Sequence, residues 1–144
     1  MESTTTLIAG LTLALTFGGM TFFSAVVAPL VFTKLPAETA GAFIRAVFPR
    51  YYLTLGATTL VALLALLPGV VDATPWEAML TALILFGFVY ARQVLMPRIN
   101  QARDAELAGE PDAGRRFQRL HRASVAVNGI QWLAALLALV MVLT

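Results

Sequence analysis

The chain has no cysteine, a single histidine and few charges, with only 12% of its 144 residues Asp, Glu, Lys or Arg. Without cysteine there is no disulfide scaffold, no thiol nucleophile and no thiolate metal site. One histidine cannot complete a four-ligand metal centre within one chain. A soluble domain is about a quarter charged and about half apolar; here 59% of the residues are hydrophobic and the mean hydropathy is +0.81. That composition excludes a disordered chain and places this one in a bilayer.

Acids are the second shortage. Asp72 and Glu77 fall at the edge of an apolar run, and the other six lie in polar segments. Proton- and cation-coupled transporters usually carry ionisable groups inside the membrane, so a coupled pump is not expected. The five methionines, Met1, Met20, Met79, Met96 and Met141, are scattered in depth and form no soft-metal ladder.

A helix needs roughly 20 apolar residues to cross about 30 Å of hydrocarbon. Runs free of Asp, Glu, Lys and Arg extend from Thr4 to Thr33, Tyr51 to Val71 and Ala123 to Thr144. A fourth, between Glu77 and Arg92, is long enough if Trp76 anchors one interface and Arg92 snorkels to the other. The expectation is an all-α, single-domain, four-helix membrane bundle, with spans near residues 5–32, 51–71, 75–96 and 122–143. The segment ahead of the first run carries Glu2 and lacks the basic n-region of a signal peptide, so that run reads as a retained span.

The sequence pI is about 9.5, but the net charge is only +2 and the position of the charges is more informative. Lys34, Arg45 and Arg50 lie between spans one and two; Arg92, Arg98, Arg103, Arg115, Arg116, Arg119 and Arg122 lie between or beside spans three and four. The N-terminal segment, the Pro68–Pro75 turn and the C-terminal segment have none. The positive-inside rule then puts both connections in the cytoplasm and both termini outside the cell membrane. No aromatic interleaving or groove-reading motif accompanies the arginines, so nucleic acid is not an expected partner.

Between the spans, residues 36–48 read as a short interfacial helix with Phe43, Val47 and Phe48 on one side. Residues 97–121 read as a helical extension into the cytoplasm, broken at Gly109-Glu110-Pro111 and restarted from Asp112 as an N-cap. Pro29 and Pro97 are expected to kink or end their helices. Phe17-Gly18 precedes Pro29 at nearly the interval by which Phe86-Gly87 precedes Pro97, the mark of a weak parallel repeat of two hairpins.

Span four carries a polar stripe: His121, Ser124, Asn128 and Gln131 recur at offsets of three, four and three, which suit one helical face. Such a stripe is either the wall of a hydrophilic pocket or interhelical hydrogen-bond glue. Tyr51 and Thr54 on span two, and Arg92 on span three, are polar faces that answer it, and Arg50 and Arg98 stand at the same depth. Gly10, Ala14 and Gly18 form a row of small residues suited to close helix contact, within the bundle or in a homo-oligomer.

The segments Val47-Phe48-Pro49-Arg50-Tyr51-Tyr52, Met96-Pro97-Arg98 and Phe117-Gln118-Arg119-Leu120-His121-Arg122-Ala123-Ser124, with Asn128, resemble the transmembrane protein 205-like family of small four-helix membrane proteins. The similarity runs over nearly the whole chain. It implies that Phe48, Pro49, Tyr51, Pro97, Arg98, Phe117, His121, Ser124 and Asn128 form a shared cytoplasm-side cluster. Animal members are associated with platinum-drug resistance and vesicle traffic. The plan is also similar to copper-resistance and protoporphyrinogen-oxidase-type membrane proteins, from which this chain departs by having no histidine in span one.

The expected function is non-enzymatic: binding, or easing the passage of, a small polar, anionic or amphipathic ligand in a cytoplasm-side chamber. Its lining would be His121, Ser124, Asn128, Gln131, Tyr51, Thr54, Arg92, Arg98 and Arg50, with no metal. A haem- or porphyrin-associated redox protein using His121 and a scaffold subunit of a larger membrane complex are the alternatives. Because there is no native cysteine, topology is directly testable. A single cysteine at Ser3 or Thr74 is expected to react with an impermeant maleimide on intact cells and one at Ala113 is not; labelling at Ala113 from outside overturns the orientation.

Overall fold

In the computed structural model, residues 2–67 and 75–144 are described, with side chains from Thr4 onward. The Pro68–Thr74 part of the expected turn, including Asp72, lies outside the described residues. Helices α1 (Glu2–Phe22), α2 (Ala28–Lys34), α3 (Ala37–Ala65), α4 (Pro75–Tyr90), α5 (Met96–Leu107) and α6 (Ala113–Leu143) account for almost everything else, and no strand occurs among the described residues. With the π-helical turns that join α1 to α2 and α4 to α5, they make four rods of 31, 29, 33 and 31 residues, each long and apolar enough to cross a membrane. In hydrocarbon no water is available to backbone N–H and C=O groups, so helices that satisfy them internally are the natural solution.

The first and third rods each pack against α3 and α6, so the four rods form a ring in chain order. Small residues line the inside: Ala9, Ala62, Ala135 and Ala138 are fully buried and let the backbones approach. Leu13, Met20, Ile84 and Phe88 fill the axis, each at most 1% exposed. Leu7, Leu11, Leu15, Phe22, Leu53, Leu64, Phe86, Ile130 and Leu137 point outward, the arrangement of a bundle whose solvent is lipid.

Each rod is about 45–50 Å long at 1.5 Å per residue, more than the hydrocarbon requires. The excess lies largely at the end that carries all ten basic residues. There α5 turns back to α6 through Gly109, whose φ of +77° only glycine adopts freely. The Gly109 and Glu110 N–H groups donate to the Glu106 and Ala105 carbonyls, both at 3.0 Å, which closes the helix as a Schellman motif. Asp112 does sit at the α6 N-cap, but its φ is 64° and its side chain makes no cap hydrogen bond. Its carboxylate pairs instead with the Arg115 guanidinium.

Prolines break neither rod. Pro29 and Pro97 each follow a π turn, Phe23–Val27 and Ala91–Leu95, and the helix then runs on. The Ala28 and Met96 N–H groups reach back five residues, to the Phe23 and Ala91 carbonyls. One wider turn thus absorbs the missing proline donor and the ring's clash with the preceding turn. Residues 36–48 are helical as expected, but they run straight into the second span. Pro49 lies inside α3, and the Arg50 guanidinium donates to the Ala46 carbonyl at 3.0 Å beside the point where the proline N–H is lacking.

The two hairpins repeat one another closely. A step of 68 residues carries the first π turn onto the second and Pro29 onto Pro97. It also carries buried Ala9, Leu13, Thr16 and Met20 onto buried Glu77, Thr81, Ile84 and Phe88. A step of 76 carries buried Leu55, Thr59 and Ala62 of α3 onto buried Gln131, Ala135 and Ala138 of α6. The glycines that correspond are therefore Gly19 and Gly87. A Cβ at Gly19 would stand 2.9 Å from Leu55, and one at Gly87 would stand 2.7 Å from Gln131; Leu55 and Gln131 are themselves equivalent.

Gln131 is 4% exposed and donates to the Ile84 carbonyl at 3.0 Å, so it has little room to yield. Gly87→Ala should cost about 1–3 kcal/mol, read as a lower melting temperature in detergent. With Gln131→Ala already in place the same change should cost clearly less, and equal costs in both backgrounds would show that the contact does not limit packing.

Candidate functional site

Near the basic end the π turn of the first rod brings Phe23 onto α3. Its ring centroid lies 4.8 Å from Tyr51 and 5.4 Å from Phe48, and Phe48 lies 5.3 Å from Tyr52. Tyr52 is 6% exposed, faces Phe88 at 6.4 Å and approaches the Ser124 side chain. It therefore crosses the bundle from α3 to α6. Opposite, Arg92 in the second π turn directs its Nε at the Pro49 carbonyl, 3.4 Å away. Space at this depth inside the ring is thus occupied by aromatic side chains rather than by an open chamber.

The cavity lies to the side. A groove of about 410 Å³ runs along α3, lined by Phe43, Ala46, Val47, Arg50, Tyr51, Thr54 and Leu55, with Gly19 contributed by α1. Those α3 positions recur at three and four residues, so one helical face forms the wall. Gly19 keeps α1 low at the groove's deep end. Phe43, Val47 and Leu55 make the surface apolar, while Arg50 and Thr54 are exposed on it. Arg50 spends one N–H on the Ala46 carbonyl and retains the rest of its five donors. The Tyr51 hydroxyl is buried without a hydrogen-bond partner. Such a surface suits a ligand with an apolar body and an anionic or polar head.

Of the residues singled out from the sequence, Arg50, Tyr51 and Thr54 meet in this groove. Gln131 faces the bundle interior and donates to the Ile84 carbonyl, and Ser124 is half-buried near Tyr52. Arg92 ties the second π turn to α3. Asn128 is half-buried, and His121 and Arg98 are exposed. His121 stacks on Phe117 with centroids 5.9 Å apart and planes 16° from parallel, and Arg103 covers Phe117 at 5.3 Å. The nine residues thus do not gather in one place. Gly10 is taken up inside the bundle, with Leu143 and Val142 over it. Ala14 and Gly18 face outward.

Glu77, expected at the membrane edge, lies in the first turn of α4 and is packed against its neighbours there, 8% exposed, with its Oε2 lacking a hydrogen-bond partner. Its signal was readable: Glu77, Thr81, Ile84 and Phe88 follow one helical face, so whatever buries Phe88 buries Glu77. Thr16 and Thr58, polar residues of the first two spans, meet in a hydroxyl cluster with Thr59. Thr16 lies 2.9 Å from Thr58 and 3.3 Å from Thr59, and Trp132 donates to Thr21 at 2.8 Å. These hydroxyls join α1 to α3 and α6, and several also bond their own backbone, as expected of interhelical glue.

A model of a family described as a domain of unknown function, DUF4149, matches residues 11–107. The matched segment begins in α1, ends with α5 and contains every residue of the groove. No curated protein and no solved structure matches the chain.

Proposed function

The chain belongs to the DUF4149 family, a small membrane-type family of unknown function, and we propose that it is a non-enzymatic membrane protein that takes an anionic amphiphile into the α1–α3 groove. The observation that carries this reading is the groove itself: about 410 Å³, apolar along its length, with Arg50, Tyr51 and Thr54 on one face. The head of the ligand is held by Arg50, and its apolar body runs from there over Leu55 to Gly19. Thr54 supplies a hydroxyl to the polar part beside Arg50, and the Tyr51 ring forms part of the wall.

Binding is favoured over passage along the axis because Leu13, Met20, Ile84 and Phe88 pack the interior. The basic end faces the cytoplasm, in keeping with the segregation of all ten Lys and Arg residues. His121, stacked on Phe117 at the surface, acts in packing, and the reading requires no cofactor.

The test uses a diazirine-bearing alkyl phosphate with the purified protein in detergent. Labelling should map to residues 43–55. A charge-assisted hydrogen bond is worth about 1.5–3 kcal/mol, so Arg50→Gln should weaken labelling about tenfold or more. Ala46→Trp, which fills the groove from an exposed position, should abolish it. Labelling outside α3, or insensitive to both substitutions, overturns the reading.

A further inference from the structure

We propose a second lipid site on α6, the counterpart of the groove in the other hairpin, that binds the headgroup of an acidic phospholipid through Arg119 and Arg122. The steps of 68 and 76 residues carry the groove onto a defined surface: Gly19 onto Gly87, Phe43 and Ala46 onto Arg119 and Arg122, Arg50 onto Ala126, and Leu55 onto Gln131. Exposure follows the same pattern. Arg119, Arg122, Ala126 and Ile130 are exposed as Phe43, Ala46, Arg50 and Thr54 are, and Gln131 is buried as Leu55 is.

What differs is where the charge sits. The first groove has its arginine at position 50, with a tyrosine and a threonine beyond it. On α6 the charge is doubled and displaced outward by four residues, about 6 Å, and the surface beyond it is purely apolar, Ala126, Val127 and Ile130. The ion pairs among the described residues are Arg45–Asp104, Arg103–Glu106 and Arg115–Asp112, so Arg119 and Arg122 have no carboxylate partner there. Two free guanidiniums one turn above an apolar helix face match a phosphodiester at the interface with its acyl chains in the hydrocarbon.

This site rests on the groove reading only through the shared geometry, and the two fail separately. Native mass spectrometry of delipidated protein, titrated with phosphatidylglycerol in mild detergent, counts retained lipids. The wild type should retain one more phosphatidylglycerol than Arg119→Gln/Arg122→Gln, and one more than Ala126→Trp, which leaves the charge intact. Ala46→Trp should leave that particular lipid in place, whatever it does to the groove. Phosphatidylcholine should not be retained there. Equal retention by the double arginine variant, equal retention of phosphatidylcholine, or displacement of the lipid by glycerol phosphate alone overturns the site. If Ala46→Trp leaves alkyl phosphate labelling unchanged while the arginine variant loses its lipid, the groove reading falls and the α6 site stands.

Discussion

Two close approaches set the register of the bundle: Leu55 over Gly19 and Gln131 over Gly87. At each, a side chain of one helix occupies the space where a Cβ of its neighbour would stand. Lipid provides little hydrophobic drive between helices, so packing of this kind largely decides how membrane helices associate. Once each glycine is seated, the small residues above it, Thr59 and Ala62 in one hairpin and Ala135 and Ala138 in the other, are brought into the interior. Toward the basic end the same register places each π turn beside the second helix of its own hairpin or its neighbour. Phe23 then meets Tyr51, and Arg92 meets Pro49.

Much of this was legible in the sequence because the bilayer imposes simple rules. Span length and the segregation of Lys and Arg are properties of composition and order, and they locate four rods with one basic end. The π turns were not legible, since they depend on which backbone carbonyl the N–H ahead of a proline selects, not on any residue type. For the same reason Pro49 looked like a boundary and is a helix interior. The duplication was visible only as an approximate interval, because the residues that correspond differ in chemistry: Ala9 with Glu77, Leu13 with Thr81, Leu55 with Gln131.

The polar stripe of α6 shows where periodicity alone falls short. At about 100° per residue, Asn128 lies about 20° round from His121, whereas Ser124 and Gln131 lie about 60–80° round. That difference separates two pairs. Ser124 and Gln131 reach Tyr52 and Ile84 inside the bundle, and His121 and Asn128 stay nearer the surface. The groove was half legible, through Tyr51, Thr54 and Arg50, but its other wall required knowing that Gly19 packs beside Leu55. Glu77 stands at the end of α4, as the sequence boundary says, and on its buried face, which only the helical period shows.

The groove joins this packing to function. A glycine that draws α1 against Leu55 leaves the α3 face beside it uncovered, and that face sets Arg50 and Thr54 among apolar residues, Leu55 on one side and Val47 and Phe43 on the other. An amphiphile matches both parts at once. The most direct measurement is an experimental density map of the protein in nanodiscs containing anionic lipid. The account predicts elongated density along α3 that starts beside Gly19 and Leu55 and ends within hydrogen-bond distance of the Arg50 guanidinium. A groove closed by its own side chains, or one that stays empty while lipid is ordered elsewhere on the bundle, would contradict it.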